Sequence, residues 1–286
     1  MLSYRHAFHA GSFADVLKHA VLVQVLRHVT RKPQPIYVLD THAGAGWYGL
    51  DSPMAQKTSE FRDGIGRLLA IPAPWPELLA PYLELVRATN QPGELRSYPG
   101  SPALARAMLR LHDRLELVEL HGTDHGLLAE SVGRAPGVRV VREDGLAALV
   151  LRMPPPERRA VVLVDPSWEI KSDYDAVPRA LARAHRRFPT GIYLLWYPVI
   201  ERVRVEALLA ALHATGIPAQ FRLELGLRPD APGLGMTGCG LIVINPPWTL
   251  LEAAMTGLPW LAGALGATGG ATIDWLTPQA QKITWA

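Results

Sequence analysis

Seven short apolar runs, each closed by turn residues and parted from the next by a stretch of helical periodicity, limit what this chain can fold into more than any other feature. They span residues 36–40, 115–120, 138–142, 161–165, 192–197, 221–227 and 240–245, with helical patterns at 14–30, 102–111, 125–133, 145–151, 174–188 and 203–216. A strand that is apolar at every position, rather than at every second one, has to be covered on both faces, and helices between the runs supply that cover. The pattern predicts an α/β, Rossmann-like fold with a seven-stranded, mostly parallel, doubly wound sheet. At 286 residues the chain is long enough for one large domain of this kind or for a domain that carries an insert.

Spacing favours the insert. In an uninterrupted nucleotide-binding βαβ unit the acid that ends the second strand lies about 20 residues beyond the glycine loop, yet Glu119 follows Asp40 by 79 positions. The excess lies at 51–97, where two amphipathic patterns, 57–70 and 76–90, flank the breaker cluster Ile71-Pro72-Ala73-Pro74-Trp75-Pro76. Residues 51–97 are therefore expected to form a small helical subdomain hung on the first crossover, with 1–50 and 98–286 as the main domain. The crossover helix is expected to open with Ser101 as N-cap and Pro102 at its first position.

With 49% hydrophobic and 19% charged residues and no low-complexity tract, the chain is neither disordered nor fibrous. Its one cysteine, Cys239, excludes an internal disulfide and any multi-cysteine metal centre. That cysteine usage, with no apolar signal-peptide core between Met1 and His6, leads us to expect a cytoplasmic protein. The uncharged stretch 253–273 has the length of a membrane span, but it holds six glycine or proline breakers and three threonines, so no membrane association is expected. The net charge of +3 comes from 24 Arg against 5 Lys. Arginine suits forked contacts with phosphate, although basic enzymes with small substrates share this balance.

The chemistry gathers at the carboxyl ends of the runs. Asp40-Thr41-His42-Ala43-Gly44-Ala45-Gly46 follows the first run directly, and Gly44 and Gly46 would let the backbone approach a ligand. Gly44 to Gly49 spells the GxGxxG dinucleotide fingerprint, but no helical pattern opens there, and Glu60, at about the right distance, sits in a polar helical stretch instead of at a strand end. A strand-ending acid followed by Gly-x-Gly fits instead a site for S-adenosylmethionine (SAM), which leaves S-adenosylhomocysteine as product. Glu119, Asp144 and Asp165 end further runs, and with Asp40 they make a set of carboxylates able to bind the ribose diol and adenine amine of that cofactor. Each alone also reads as a solvated acid or a helix cap.

Two segments compete for the reaction itself, Asp165-Pro166-Ser167-Trp168 and Asn245-Pro246-Pro247-Trp248; both resemble the (Asp/Asn/Ser)-Pro-Pro-aromatic motif of enzymes that methylate exocyclic amines. The last strand of such a sheet is usually antiparallel, which would bring Asn245 out on the edge away from the cofactor, so Asn245 to Trp248 is read as a structural turn. At the first segment the Asp165 carboxylate and the Pro166 carbonyl could accept hydrogen bonds from both hydrogens of an adenine N6, whose lone pair is otherwise delocalised into the ring. Asp165 is also placed to take the released proton. Trp168 offers a face on which an extruded base can stack, worth about 1–3 kcal/mol. No metal is needed, and His9 and His19, ten apart with no third ligand, do not suggest one.

Residues 4–19 mix aromatics, three His and cations, including Arg5, His6 and Lys18. They fit either an arm that contacts RNA or a capped surface helix leading into an amphipathic one. On the residues alone, an amine methyltransferase acting on DNA or a small molecule, an NAD-dependent oxidoreductase and an RNA-binding protein with a weakened site all stay open.

Taken together, Met1-Leu2-Ser3-Tyr4-Arg5-His6, His9-Ala10-Gly11, Asp15-Val16-Leu17-Lys18-His19, the Asp40 to Gly46 loop, Tyr98-Pro99-Gly100-Ser101-Pro102, Leu194-Leu195-Trp196-Tyr197-Pro198, Gly235-Met236-Thr237 and Ile244-Asn245-Pro246-Pro247-Trp248 resemble the RlmJ family nearly end to end. These are bacterial methyltransferases of adenine N6 at position 2030 of 23S rRNA. The resemblance implies a Rossmann-like methyltransferase domain with an inserted helical subdomain, acting as a monomer on protein-free or early-assembly 23S rRNA. It implies SAM contacts at His19, His42, Ser101, Glu119, Asp144, Gly145 and Asp165, an RNA-contacting Tyr4, and Asp165 as proton acceptor. It also favours the arm reading of the first residues. One departure falls in the reaction motif, where the family has Asp-Pro-Pro-Tyr and this chain has Ser167 and Trp168. Both acceptors remain, while the rigidity of a second proline ring and a phenol hydroxyl are lost.

Overall fold

In a computed structural model, residues 5–132, 134–231 and 233–278 are described. A 3-10 turn at His6–Phe8 leads into α1 (Phe13–Val29) and then β1 (Tyr37–Asp40). Two short strands, β2 (Trp47–Gly49) and β3 (Ser97–Pro99), bracket α2 (Pro53–Thr58), α3 (Arg67–Leu69) and α4 (Ala80–Ala88). Alternation follows through α5 (Ser101–Met108), β4 (Arg114–Val118), α6 (Gly122–Ser131), β5 (Val138–Val141), α7 (Gly145–Leu151), β6 (Ala160–Val164), α8 (Asp173–Arg187), β7 (Ile192–Val199) and α9 (Arg202–Ala214). The chain then runs through β8 (Gln220–Gly226), β9 (Gly238–Ile244), α10 (Trp248–Leu265) and β10 (Gly270–Thr277).

The main sheet has the order β10-β8-β9-β7-β6-β1-β4-β5. Strands β5, β4, β1, β6 and β7 are parallel, β9 is antiparallel to both β7 and β8, and β10 is antiparallel to β8. Strand β1 is central: Asp40 stands in register with Leu117 of β4 and Leu163 of β6. The carboxyl ends of β6, β1, β4 and β5 therefore lie side by side at about 4.8 Å steps. Every residue of β1 and β6 is buried, as both-face cover requires.

The expected seven strands become eight, because β10 adds to the β8 edge, and α10 stands where no helix is expected. Helix α10 accommodates Pro259 within its span. No helix among the described residues is long and apolar enough to cross a membrane. Helix α1 is not the amphipathic surface helix of one sequence reading. Fourteen of its seventeen residues are buried, because it packs against β9, α4, α5 and α10.

Residues 50–96 leave and return through the antiparallel β2–β3 pair, in which Tyr48 faces Tyr98. The expected helix 57–70 is broken. Helix α2 stops where Ser59 turns left-handed (φ 55°), and a π-helical turn at Arg62–Gly66 kinks at Gly64. A Cβ at Gly64 would lie 2.2 Å from the Gly11 carbonyl oxygen, so the kink serves a close backbone crossing that only glycine permits. Phe61, Ile65, Leu68, Leu79, Tyr82 and Val86 of this segment belong to the same hydrophobic cluster as α1 and α10. The crossover helix begins one residue earlier than expected, with Gly100 as its N-cap. Ser101 is not the cap, because its hydroxyl donates to Asp40 Oδ2 at 2.6 Å.

Candidate active site

Four carboxylates line the carboxyl edge in the order Asp165, Asp40, Glu119 and Asp144, one after each of β6, β1, β4 and β5. Asp40 is buried; burial pushes its carboxyl up to about 7, the Ser101 hydroxyl opposes the shift, and the Asp165 charge adds to it. Glu119 accepts from the Gly44 amide (2.8 Å) and the His121 amide (2.7 Å). It ties the glycine loop to the start of α6, and burial raises its pKa against those two bonds. Asp144 is exposed and caps α7 by accepting from the Ala147 amide at 2.7 Å.

Between these acids the backbone comes unusually close. Gly44 (φ 62°) and Gly46 (φ 80°) adopt left-handed conformations. A Cβ on Gly145 would stand 2.1 Å from the Thr41 carbonyl oxygen and 2.9 Å from the His42 ring. Thr41 donates to the Leu163 carbonyl (3.1 Å), and its hydroxyl pairs with His42 Nδ1 at 2.7 Å. Burial lowers the pKa of His42 to about 4 and keeps the ring neutral. After Gly46 the chain enters a strand, β2, and not a helix. That geometry does not match the dinucleotide fingerprint, whose last glycine packs a helix.

The reaction motif is backed by α1. Lys18 Nζ lies 2.6 Å from Asp165 Oδ2 and 2.9 Å from Asp15 Oδ1, and over the Trp196 ring at 5.7 Å. Lys18 is only 4% exposed, so it does not stand on an RNA-facing surface as expected; it sits behind Asp165. Asp15 also accepts from the Gly11 amide at 2.9 Å and lies 2.9 Å from His6 Nε2. Burial alone would raise the Asp15 carboxyl, but His6, which is also hydrogen-bonded to it, and the Lys18 charge hold it well below the usual carboxylate range. Pro166 is buried. Trp168 takes a left-handed conformation (φ 59°), and its ring packs on Tyr174 with centroids 4.8 Å apart. At 6% exposure Trp168 is part of a wall, and its indole N–H has no partner among the described residues.

His19 is enclosed at 1% exposure, stacks on Tyr98 and pairs with its hydroxyl at 2.7 Å. Burial lowers its pKa to about 3. It therefore sits in the packing between α1 and Tyr98, next in sequence to the Lys18 that pairs with Asp165. His6 is half-buried beside Tyr48. Tyr4 lies outside the described residues. Asn245 emerges at the opposite edge after antiparallel β9 and donates both amide hydrogens, to the Pro189 and Gly191 carbonyls. Asp15, the hub of the α1 cluster, carries no role in the sequence reading. The signal for it is its i, i+3 and i, i+4 spacing to Lys18 and His19, which puts the three on one helix face.

Residues 33–277 match the family described as "Ribosomal RNA large subunit methyltransferase D, RlmJ". Over 98% of its length the chain is 44% identical to the whole of "Ribosomal RNA large subunit methyltransferase J" of Escherichia coli (strain K12). The protein of the same name from Haemophilus influenzae is 43% identical over the same share. Among solved structures, protein LPL1258 from Legionella pneumophila superposes with a TM-score of 0.86 at 35% identity, covering 96% of this chain and 99% of that one.

Proposed function

The chain belongs to the RlmJ family of ribosomal RNA large subunit methyltransferases, and from that membership we propose that it methylates N6 of a single adenine, of the position-2030 type, in 23S rRNA, using SAM. The observation that carries the reading is the row of carboxylates across four adjacent parallel strands with Asp165-Pro166-Ser167-Trp168 at one end. The row spans about 15 Å at the usual strand spacing, the length of an extended nucleoside with its amino-acid arm. At Gly44, Gly46 and Gly145 the space a Cβ would need is taken by Tyr48, by Leu128, Val132 and Ser131, and by Thr41 and His42, so these glycines let the loop and α7 pack tightly at the strand ends and hold the row in place. The residues therefore fit the cofactor: Asp144 at the adenine end, Glu119 at the ribose, and Asp40, Ser101, His42, Gly44, Gly46 and Gly145 along the loop. When bound, SAM supplies a sulfonium-activated methyl group.

The chain's own part is to present the amine. The Asp165 carboxylate and the Pro166 carbonyl accept from the two N6 hydrogens, directing the nitrogen lone pair out of the ring plane toward the methyl group. Lys18, at 2.6 Å, engages Oδ2 of Asp165 and leaves the other oxygen for the substrate. As methyl transfers, the proton leaving N6 passes to Asp165. Trp168, with Tyr174 behind it, walls the base pocket, and His6 and Tyr4 would meet the RNA from the segment before α1. Alignment of amine and methyl group supplies most of the remaining rate. We place the protein in the cytoplasm as a monomer acting on rRNA before ribosomal proteins cover it.

The test is methyl transfer from labelled SAM to unmodified, protein-free 23S rRNA, with nuclease digestion to identify the nucleoside. Label is expected as N6-methyladenosine at one site, with transfer abolished in a folded Asp165→Ala variant. Wild-type rates in that variant would remove Asp165 from the reaction, and label on another nucleoside would overturn the substrate atom.

A further inference from the structure

The edge of the sheet opposite the site carries a second concavity. Behind the amino ends of β1, β6 and β7, a cavity of about 330 Å³ is bordered by His28, Lys32, Arg158, Arg159, Thr190 and Asn245. Arg158 and Thr190 also border an adjoining cavity that reaches Arg187, so the two form one groove. No carboxylate among the described residues borders either cavity. Two acids stand close to this wall, and both are engaged: Asp113 accepts from the Ile36 amide at 3.0 Å and pairs with Arg110, and Glu157, next to Arg158 in sequence, pairs with Arg114, each pair at 2.9 Å.

The cations there divide into two kinds. Arg159 and Arg110 are structural: Arg159 donates to the Val29 (2.8 Å) and Gln34 (2.6 Å) carbonyls, and Arg110 to those of Thr30 (3.1 Å), Lys32 (2.5 Å) and Gln34 (2.9 Å). These bonds cap the end of α1 and fix the turn that follows. Lys32 is exposed on that turn and makes no ion pair among the described residues. On the other wall, the Pro154-Pro155-Pro156 turn leads to an exposed Arg158 held left-handed at φ 54°. Among the described residues Arg187 commits only its Nε, to the Met153 carbonyl at 2.7 Å. The crowding is felt by His28, whose pKa is lowered by burial and then by the charges of Arg31, Lys32 and Arg159. Cations gathered on two walls with no carboxylate between them repel one another, and an anion relieves that repulsion.

We propose that this groove binds phosphate groups of the RNA backbone flanking the target adenine, with Lys32, Arg158 and Arg187 as the contacting cations. It lies about 17 Å from Asp165, the length of β6 at 3.3 Å per residue, so it grips the polymer and not the reacting base. The groove runs from one cavity into the next past Arg158 and Thr190, and both amide hydrogens of Asn245 are spent on the carbonyls of Pro189 and Gly191. It therefore offers cations in series and no side-chain amide donor for a base edge, which favours a backbone over a free nucleotide. This proposal rests on the reading of rRNA as substrate.

The experiment measures binding of the full chain to 23S rRNA from 50 to 200 mM salt, comparing wild type with K32Q/R158Q/R187Q and with the single K32Q. The single variant removes an exposed side chain and keeps the test valid if the triple variant melts early. The triple variant is expected to bind at least tenfold more weakly, to flatten the slope of log K against log salt by about 2–3, and to keep wild-type SAM affinity. K32Q alone is expected to flatten the slope by about 0.7–0.9. Unchanged affinity and slope in folded variants would overturn the groove and leave the proposed reaction standing. A wild type that binds no rRNA would overturn both. A second arm measures the thermal midpoint with 10 mM inorganic phosphate or adenosine monophosphate; stabilisation of wild type but not of the variants, with unchanged RNA binding, would reassign the groove to a small phosphate and overturn the RNA proposal.

Discussion

At the scale of single residues, the site depends on contacts that allow no added atom. Gly145 opens α7 with its Cα against the Thr41 carbonyl, and an alanine there would place a methyl 2.1 Å from that oxygen and 2.9 Å from His42. Neither neighbour is free to yield, since Thr41 is bonded to Leu163 and His42. Gly145→Ala is therefore expected to displace the loop between β1 and Gly46 and to weaken SAM binding at least tenfold by calorimetry, with a loss of about 1–3 kcal/mol in stability from overpacking. Unchanged cofactor affinity in that variant would remove the loop from the binding site. The acids and the glycine loop were legible in the sequence because each follows an apolar run directly. The pairing of Lys18 with Asp165 was not, because 147 residues separate them and only the fold brings α1 behind β6. The same reason hid the enclosure of His19: helical spacing shows which residues share a face and not what covers it.

At the scale of elements, seven strands could be read because parallel strands buried on both faces are continuously apolar. Strand β10 escaped that reading. It lies at a sheet edge with only partly covered side chains, and its Thr272, Asp274 and Thr277 interrupt any apolar run. The three-residue ribbon β2–β3 is too short to leave a period. Helix α10 was obscured by Gly257, Pro259 and Gly263, residues that normally punctuate a helix. The broken helix in the 50–96 segment has a cause that pattern cannot carry, the crossing of Gly64 over Gly11. Replacing Gly64 by Ala is expected to push the backbone at Gly11 and Ser12 away, costing about 1–3 kcal/mol. Because those residues lead into the α1 cluster, the KM for RNA should rise while SAM affinity holds. Urea midpoints and steady-state kinetics would check both, and an unchanged midpoint would show that the crossing relaxes freely.

At the scale of the whole molecule, the buried histidines set the response to acid. His19 and His42 have pKa values lowered to about 3 and about 4. Between pH 6.5 and those values the unfolded chain takes up a proton at each, the folded chain does not, and stability falls as pH falls. Asp40 works in the opposite sense: its folded pKa of about 7 lies above the unfolded 3.8, so its contribution declines as pH rises through that window. Two groups against one leave a net loss toward acid, about 1.4 kcal/mol per pH unit for each uncompensated proton. Urea unfolding at pH 7, 6 and 5 should show a falling midpoint, and Asp40→Asn, which removes the opposing group, should show a steeper fall. A flat wild-type profile would mean that the histidines are not held neutral. Helix α1 carries a further consequence for how the protein comes into being. Gln24 donates to the Thr249 carbonyl at 3.4 Å, and His28 pairs with the Thr249 hydroxyl at 2.9 Å, across 225 and 221 residues of chain. The helix that seats Lys18 behind Asp165 is thus translated more than 200 residues ahead of α10 but walled in only when α10 has been made. During synthesis the nascent chain can bring the carboxylate row together before α10 exists to hold α1 in place behind Asp165.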